Sequence, residues 1–334
     1  MTASLNATKA RTNEVPISKN WIRRAFPLVF ALCYAGALAY LPVDAFTDRD
    51  NYFVYANYSD LILARYTNIG LISFLANEPL WLLLNIILSQ YIYPENVLRV
   101  FIFVPAFVIS WQLLKRNPGH AIWMVLFLIS PQVVKNHIIH LRQGLALGVF
   151  VLGYFAGPKW LRICLMFASG FIHSSFFFIL VIGVAVWASD TLRSEPRLRA
   201  AVLIMCFVTI GVLIGVVSGG LGARQALLYA DADLEISGLG FLFWLTMFVL
   251  FASAGSTFLK DNMFAFSNLA FYLAIYFLTP VAGRIFESGL FLVFQAGLAL
   301  PGWRKRCFLA AFAVLTAAQY AARVGEPLLG WGIL

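Results

Sequence analysis

Long apolar runs alternate with short polar stretches from about residue 26 to residue 322. Apolar windows fall near 26–45, 69–93, 97–114, 121–139, 143–157, 160–175, 176–189, 200–218, 238–258, 263–282, 286–301 and 307–322. A helix needs about 20 mostly apolar residues to cross a bilayer, and several windows are shorter or carry Pro, Gly or charge. No soluble domain fits between them, since the longest polar gaps are 46–68 and 219–237. No internal repeat is visible. The pattern predicts an all-α, polytopic integral membrane protein with about 11 transmembrane helices, within a range of about 10–13. Its parts are a basic segment 1–24, one transmembrane catalytic domain 25–323 and a tail 324–334.

Composition supports the membrane class. Only 12% of the 334 residues are charged and 61% are hydrophobic, whereas a soluble domain carries about 25% charge. Too little charge remains to cover a water-facing surface, which excludes a soluble enzyme, a disordered chain and a fibrous repeat. The 31 Phe, 13 Tyr and 9 Trp suit bilayer-facing and interfacial surfaces. Cys33, Cys164, Cys206 and Cys307 lie in or beside apolar runs with no CxxC pair and no metal-ligand spacing. They read as small buried hydrophobes, with neither disulfide nor zinc. No small-residue cleavage site follows the polar N-terminus, so the first apolar run reads as a retained helix.

Lys and Arg near helix ends set orientation. The basic groups are Lys9, Arg11, Lys19, Arg23 and Arg24; Lys115 and Arg116; Lys159 and Arg162; Arg193, Arg197 and Arg199; Lys260; and Arg304, Lys305 and Arg306. Placed in the cytoplasm, they give an inner face of +12 and an outer face of −3, which account for the net +9. The excess charge is mainly a topology signal and needs no nucleic-acid partner. This puts the N-terminus inside and the C-terminus outside. Loops alternate correctly from residue 115 onward, but 46–114 breaks parity. Either 69–93, with Glu78 inside it, is re-entrant or partly spanning, or the Tyr-rich stretch 51–66 also enters the membrane.

Polar residues that anchoring does not explain gather on the outer side. They include Asp48, Arg49, Asp50, Glu78, Lys135, His137, His140, Arg142, His173, Arg224, Asp231, Asp233, Glu235, Arg284 and Glu287. Ionisable groups at membrane depth usually face a cavity, pair with one another or act on a substrate. In 135–153, Lys135 and Arg142 share a face if the helix is continuous. Arg142 reads as part of a diphosphate clamp, or as a snorkelling interfacial Arg. His173, at a break between apolar runs, reads as a general base or phosphate donor, or as a satisfied helix-end histidine. Arg284 and Glu287 form an i,i+3 ion pair, or Arg284 is a second phosphate ligand. Asp48 and Asp50 precede a Tyr-rich stretch suited to sugar stacking; the alternative is a solvated acidic loop. The acids at 231–235 read most simply as a solvated loop. No phosphate loop, HExxH, GxSxG or Arg ladder occurs, which weighs against a pump, a zincin, a serine hydrolase and a voltage sensor.

An ordered set of motifs follows. Asp50-Asn51-Tyr52 lies after the first helix, then come Glu78-Pro79-Leu80, Leu-Arg-Gln-Gly-Leu-Ala at 141–146, Phe-Ile-His-Ser-Ser at 171–175 and Gly283-Arg284. The set, spanning about residues 44 to 300, resembles the EpsG-like branch of Wzy-type bacterial polysaccharide polymerases. That resemblance implies an inner-membrane glycosyltransferase joining undecaprenyl-diphosphate-linked repeat units into O-antigen, capsule or exopolysaccharide at the outer membrane face. Its partners would be the lipid-linked donor and acceptor glycans, the bilayer, and a flippase and chain-length regulator of the same pathway. It implies no cofactor and no metal. Arg142, His173 and Arg284 match the family's basic positions, and Glu78 and Asp50 its acidic ones; the triplet Asp48-Arg49-Asp50 leaves open which Asp corresponds. Expected catalytic residues are His173, Glu78, Asp50 and Asp48. Expected diphosphate ligands are Arg142, Arg284, His140, Lys135 and Arg224. Rival readings are a glycan ligase, a flippase or transporter of an anionic lipid-linked substrate, and a structural membrane subunit.

Overall fold

A computed structural model describes residues 17–191, 194–220 and 238–333. The described residues are all-α, and their one β contact is an isolated antiparallel bridge between Phe46 and Gly332. In chain order the helices are α1 Ile17–Ala39, α2 Arg49–Ile69, α3 Leu71–Ala76, α4 Pro79–Ser89, α5 Pro94–Arg116, α6 Ala121–Ile129, α7 Pro131–Ile138, α8 Leu141–Tyr154, α9 Lys159–Ile172, α10 Ser175–Asp190, α11 Pro196–Gly220, α12 Leu239–Ala252, α13 Ser256–Asp261, α14 Met263–Ile275, α15 Ala282–Ala299 and α16 Trp303–Ala321. Short 3₁₀ turns lie at Pro118–His120 and Pro327–Gly330.

Among the described residues, α5 is the one continuous helix long and apolar enough to cross a membrane; the stretch Pro118–Ile129 and α7 qualify together as a pair bent by 60°. Residue chemistry explains both. α5 opens on Pro94, whose missing N–H is no loss in a first turn, with Glu95 beside it, and it closes on Lys115 and Arg116. Each charge complements the helix dipole. The bend falls at Ser130-Pro131: Ser130 is extended, and Pro131 starts a new helix, because proline disfavours helical geometry in the residue before it. The single apolar window 121–139 is therefore two helices.

Contacts define two ends. At one end the Arg116 guanidinium donates to Phe155 O at 3.1 Å, and Lys305 Nζ meets His120 Nε2 at 2.6 Å. There too, Arg304 Nε donates to Ser253 Oγ at 3.0 Å, and Arg199 pairs with Asp190. At the other end Arg99 donates to Ala39 O at 2.7 Å, Arg49 to Ile138 O, and Lys135 pairs with Glu287 at 3.0 Å. The helices α5, α8, α9, α10 and α15 and the bent α6–α7 pair run between these ends.

Segment 49–93 behaves differently. Its start is tied near Ile138, and the first turns of α5 are tied near Ala39, so α2, α3 and α4 leave one end and return to it. The window 69–93 is broken at Asn77-Glu78 into helices of 6 and 11 residues, and the Tyr-rich stretch 51–66 lies in α2. At 1.5 Å per residue, α4 is only about 16 Å long.

The interior is aromatic and close-packed. Phe127 stacks on Phe294 with centroids 4.6 Å apart, and Phe294 meets Phe312 edge-on at 4.9 Å, across α6, α15 and α16. α8 approaches its neighbours through small residues: a Cβ on Gly148 would sit 3.1 Å from Pro105, and one on Gly144 would collide with the Asn136 carbonyl. This small-xxx-small face seats α8 against α5 and α7.

Two expectations change here, and the tail gains a described contact. Cys33, Cys164, Cys206 and Cys307 are exposed rather than buried, because they occupy outward helix faces that are themselves apolar, beside Leu32, Ile163 and Met205. Lys135 and Arg142 do not share a continuous helix, since the chain breaks at Ile139-His140. The tail does not hang free: Thr47 N–H donates to Trp331 O at 3.1 Å, and Ile333 N–H to Ala45 O at 2.9 Å. Trp331 packs with Phe46, Val134, Ile138 and Ile139.

Candidate functional site

Glu78 is the centre of the polar cluster. It precedes Pro79, which excludes the ordinary helical conformation at position 78. The residue adopts φ 59°, ψ 53°, a left-handed geometry that costs a non-glycine residue about 1–2 kcal/mol. Strain of this kind persists only where surrounding contacts over-determine it. Those contacts are specific. The Arg142 guanidinium bonds Glu78 Oε2. His173 Nδ1 lies 2.7 Å from Glu78 Oε1, and the Ser174 backbone N–H donates to the same oxygen at 3.2 Å. The side chains of Glu78 and His173 are 7% and 8% exposed, and Arg142 keeps 26%, so the guanidinium is the member of the trio that opens outward.

Arg142 is held from a second side. It donates to Tyr55 OH at 3.4 Å and lies over that ring at 5.2 Å. Tyr52 and Tyr55 both pack edge-on against Trp81, at 5.9 and 6.0 Å. Tyr52 and Tyr55 are three apart on α2, so they present one face. The aromatic wall behind Arg142 is built by the returning segment α2–α4.

Four helix N-termini carry the set. Glu78 caps α4, Arg142 lies in the first turn of α8, His173 and Ser174 precede α10, and Arg284 lies in the first turn of α15. Gln143 joins the last to the others, donating from Nε2 to the Arg284 backbone carbonyl at 2.7 Å. Helix N-termini carry unsatisfied N–H groups and partial positive charge, which favour anions. His140, just ahead of α8, lies within electrostatic reach of Lys135, Arg284, His173 and Arg142.

The remaining expected residues are placed as follows. Asp48 and Asp50 are exposed at the start of α2, apart from the contacts of Glu78; between them Arg49 turns inward, 1% exposed, over the Phe46 ring. Asp48 has φ 66°. Glu287 pairs with Lys135 across 152 positions at 3.0 Å, so the carboxylate expected beside Arg284 is engaged by α7. His137 is fully buried, edge-on to Tyr34 at 6.2 Å, with neither ring nitrogen partnered; it faces the interior because it sits on the inward side of the short α7. Arg224, Asp231, Asp233 and Glu235 lie outside the described residues. A surface cavity of about 440 Å³, lined by Ala318, Gln319, Ala322, Arg323, Glu326 and Gly330, shares none of these residues.

Sequence reasoning assigned no individual role to Tyr55, Trp81, Gln143, Ser175 or Ser288, although Gln143 and Ser175 stand inside the motifs at 141–146 and 171–175 and Tyr55 in the Tyr-rich stretch. A signal existed for Gln143, a polar residue inside an apolar run directly after Arg142. None existed for Ser288, whose partners come from distant helices. No family model, curated protein or solved structure compared with the chain matches it.

Proposed function

We propose that the chain is a polytopic membrane glycosyltransferase of the EpsG-like, Wzy type, polymerising lipid-diphosphate-linked glycan repeats on the outer face of a bacterial inner membrane. The observation that carries this is the buried Glu78–His173 pair held by Arg142, with the Arg284 backbone tied to the residue after Arg142, at the N-termini of α4, α8, α10 and α15. Arginines beside helix N-termini suit a leaving diphosphate, whose negative charge grows as the sugar–phosphate bond breaks. The pair beside them suits proton removal. Glu78, held by Arg142 and the Ser174 N–H, is the ionised member, so His173 donates through Nδ1 and presents Nε2 as base.

In this reading the acceptor hydroxyl oxygen attacks the anomeric carbon of the donor sugar. Its proton passes to His173 Nε2, the bond to the diphosphate oxygen breaks, and the polyprenyl diphosphate leaves with its charge on Arg142 and Arg284. Glu78 orients His173 and balances Arg142; it does not take the proton itself. Asp48 and Asp50 are left with no part in the step.

The membrane assignment draws on the outer helix faces. Val29, Ile122, Ile163, Phe167, Val184, Met205, Val249 and Val314 are each more than half exposed, apolar positions on seven helices that a bilayer would cover. The basic clusters at the opposite end fit the cytoplasmic side. In intact vesicles, Cys33 and Cys206 should resist a water-soluble maleimide and react once the membrane is dissolved. Labelling of both in sealed membranes would remove this assignment.

The deciding experiment for the activity is elongation by the purified chain of a defined lipid-linked repeat, with Arg142→Ala and Arg284→Ala inserting normally but forming no polymer. Full polymer length and yield from both variants would reject this site. The broken α6–α7 helix favours one second reading, a flippase, because interrupted helices recur in transporters. Lipid-linked repeats moved across vesicles without elongation would select it.

A further inference from the structure

Gln143 is 1% exposed, yet only half of its amide is used. Nε2 donates to the Arg284 carbonyl at 2.7 Å and to Ser288 Oγ at 3.1 Å, while the buried Oε1 has no partner. The orientation is forced, because a carbonyl cannot accept from Oε1. An unpaired buried oxygen is costly, and an apolar side chain of equal volume would avoid the cost. Packing therefore does not explain a glutamine here.

The donor end does. Gln143 follows Arg142 in the chain, and the carbonyl it grips belongs to Arg284 itself. Ser288 Oγ reaches the same carbonyl at 3.2 Å and Ser175 Oγ at 2.8 Å. Ser175 lies two residues after His173. One buried amide and two hydroxyls thus tie the backbone of Arg284 to the chain positions that carry Arg142 and His173, across α8, α15 and α10.

We infer that Gln143 is a positioning residue that fixes the spacing between the Arg142 and Arg284 guanidiniums so that both engage one diphosphate. This rests on the diphosphate reading of those arginines. It distinguishes ligands: a monophosphate needs one guanidinium, whereas a diphosphate needs both at a set distance.

The test measures binding of short-chain polyprenyl diphosphate and polyprenyl monophosphate to the purified full chain. Gln143→Leu should weaken the diphosphate about 10²-fold, the effect of an ångström-scale misplacement, and leave the monophosphate within about twofold. Ser288→Ala should act in the same direction and more weakly. On an Arg284→Ala background Gln143→Leu should add nothing, since groups acting as a unit are not additive. An equal loss for both lipids, or a full additional loss on Arg284→Ala, overturns the proposal. Elongation is not part of the readout. A chain that prefers the diphosphate but lengthens no glycan overturns the polymerase reading, while the same ratio still decides Gln143; a wild-type chain that binds neither lipid overturns both.

Discussion

The two ends of the bundle hold charge in opposite ways. At the end with Lys115, Arg116, Lys159, Arg162 and Arg304–Arg306, cations sit in exposed turns. Their contacts include single bonds to carbonyls, a hydroxyl or a histidine; Arg199, itself buried, finds its carboxylate on Asp190, which is 62% exposed. At the other end Glu78 and His173 are nearly sealed, and partners arrive from 64, 95 and 152 positions away. Exposed ion pairs contribute about 0–1 kcal/mol, so charges at the first end are cheap to keep and easy to lose. Buried ones carry a desolvation cost that often exceeds their attraction. A chain with so little charge places its most deeply buried carboxylate and histidine together at the second end, which fits the proposed chemistry better than anchoring does.

The sharpest break in that contrast comes from Glu78→Ala. It leaves a largely buried Arg142 without its carboxylate, and removal of one partner from a buried pair costs about 3–5 kcal/mol. Thermal unfolding in detergent should show this loss, together with absence of polymer in a knockout strain. Next in size is His173→Asn, expected to slow elongation by about 10²–10⁴-fold, the contribution of a positioned base, while the unfolding midpoint stays near wild type. A drop in midpoint matching that of Glu78→Ala would make His173 structural instead.

Asp48→Gly should move the other way. Position 48 is left-handed and exposed, and glycine relieves that geometry at a gain of about 1 kcal/mol; polymer should persist. Loss of polymer with stability intact would return Asp48 to the reaction. The smallest effect belongs to Lys305→Ala, under about 1 kcal/mol with normal polymer. Were it to cost as much as Glu78→Ala, the two ends would not differ in kind.

Much of the site could be read in the chain, for a reason these numbers make plain. In a sequence with 12% charge, each Arg, His or Glu inside an apolar run is conspicuous, and Glu78, Arg142, His173 and Arg284 stand out singly. Their partners did not. Glu287 is three residues from Arg284, and helical spacing favours a local pair; the α7–α8 break instead delivers Lys135 to it, a tertiary effect that periodicity cannot register. His137 and His140 are indistinguishable in the string, yet His137 lies on the inward side of α7 while His140 falls past the break, ahead of α8 and among cations. Parity in 46–114 was visible as a conflict, and its physical source is Pro79, which splits an apolar window into helices of 6 and 11 residues. The cysteines misled because apolarity marks both the core and the outer faces, and one string cannot separate them.

The pairing of residues 45–47 with 331–333 has a consequence in time. The loop that leads into α2, with its Tyr52 and Tyr55 wall, is made early, but the segment that clasps it follows far later in the chain, at 331–333. At about 5–20 residues per second, Thr47 waits roughly 15–60 s for Trp331. During that interval the loop entering α2 lacks its clasp, so the contact that fixes it forms late relative to the helices it leads into.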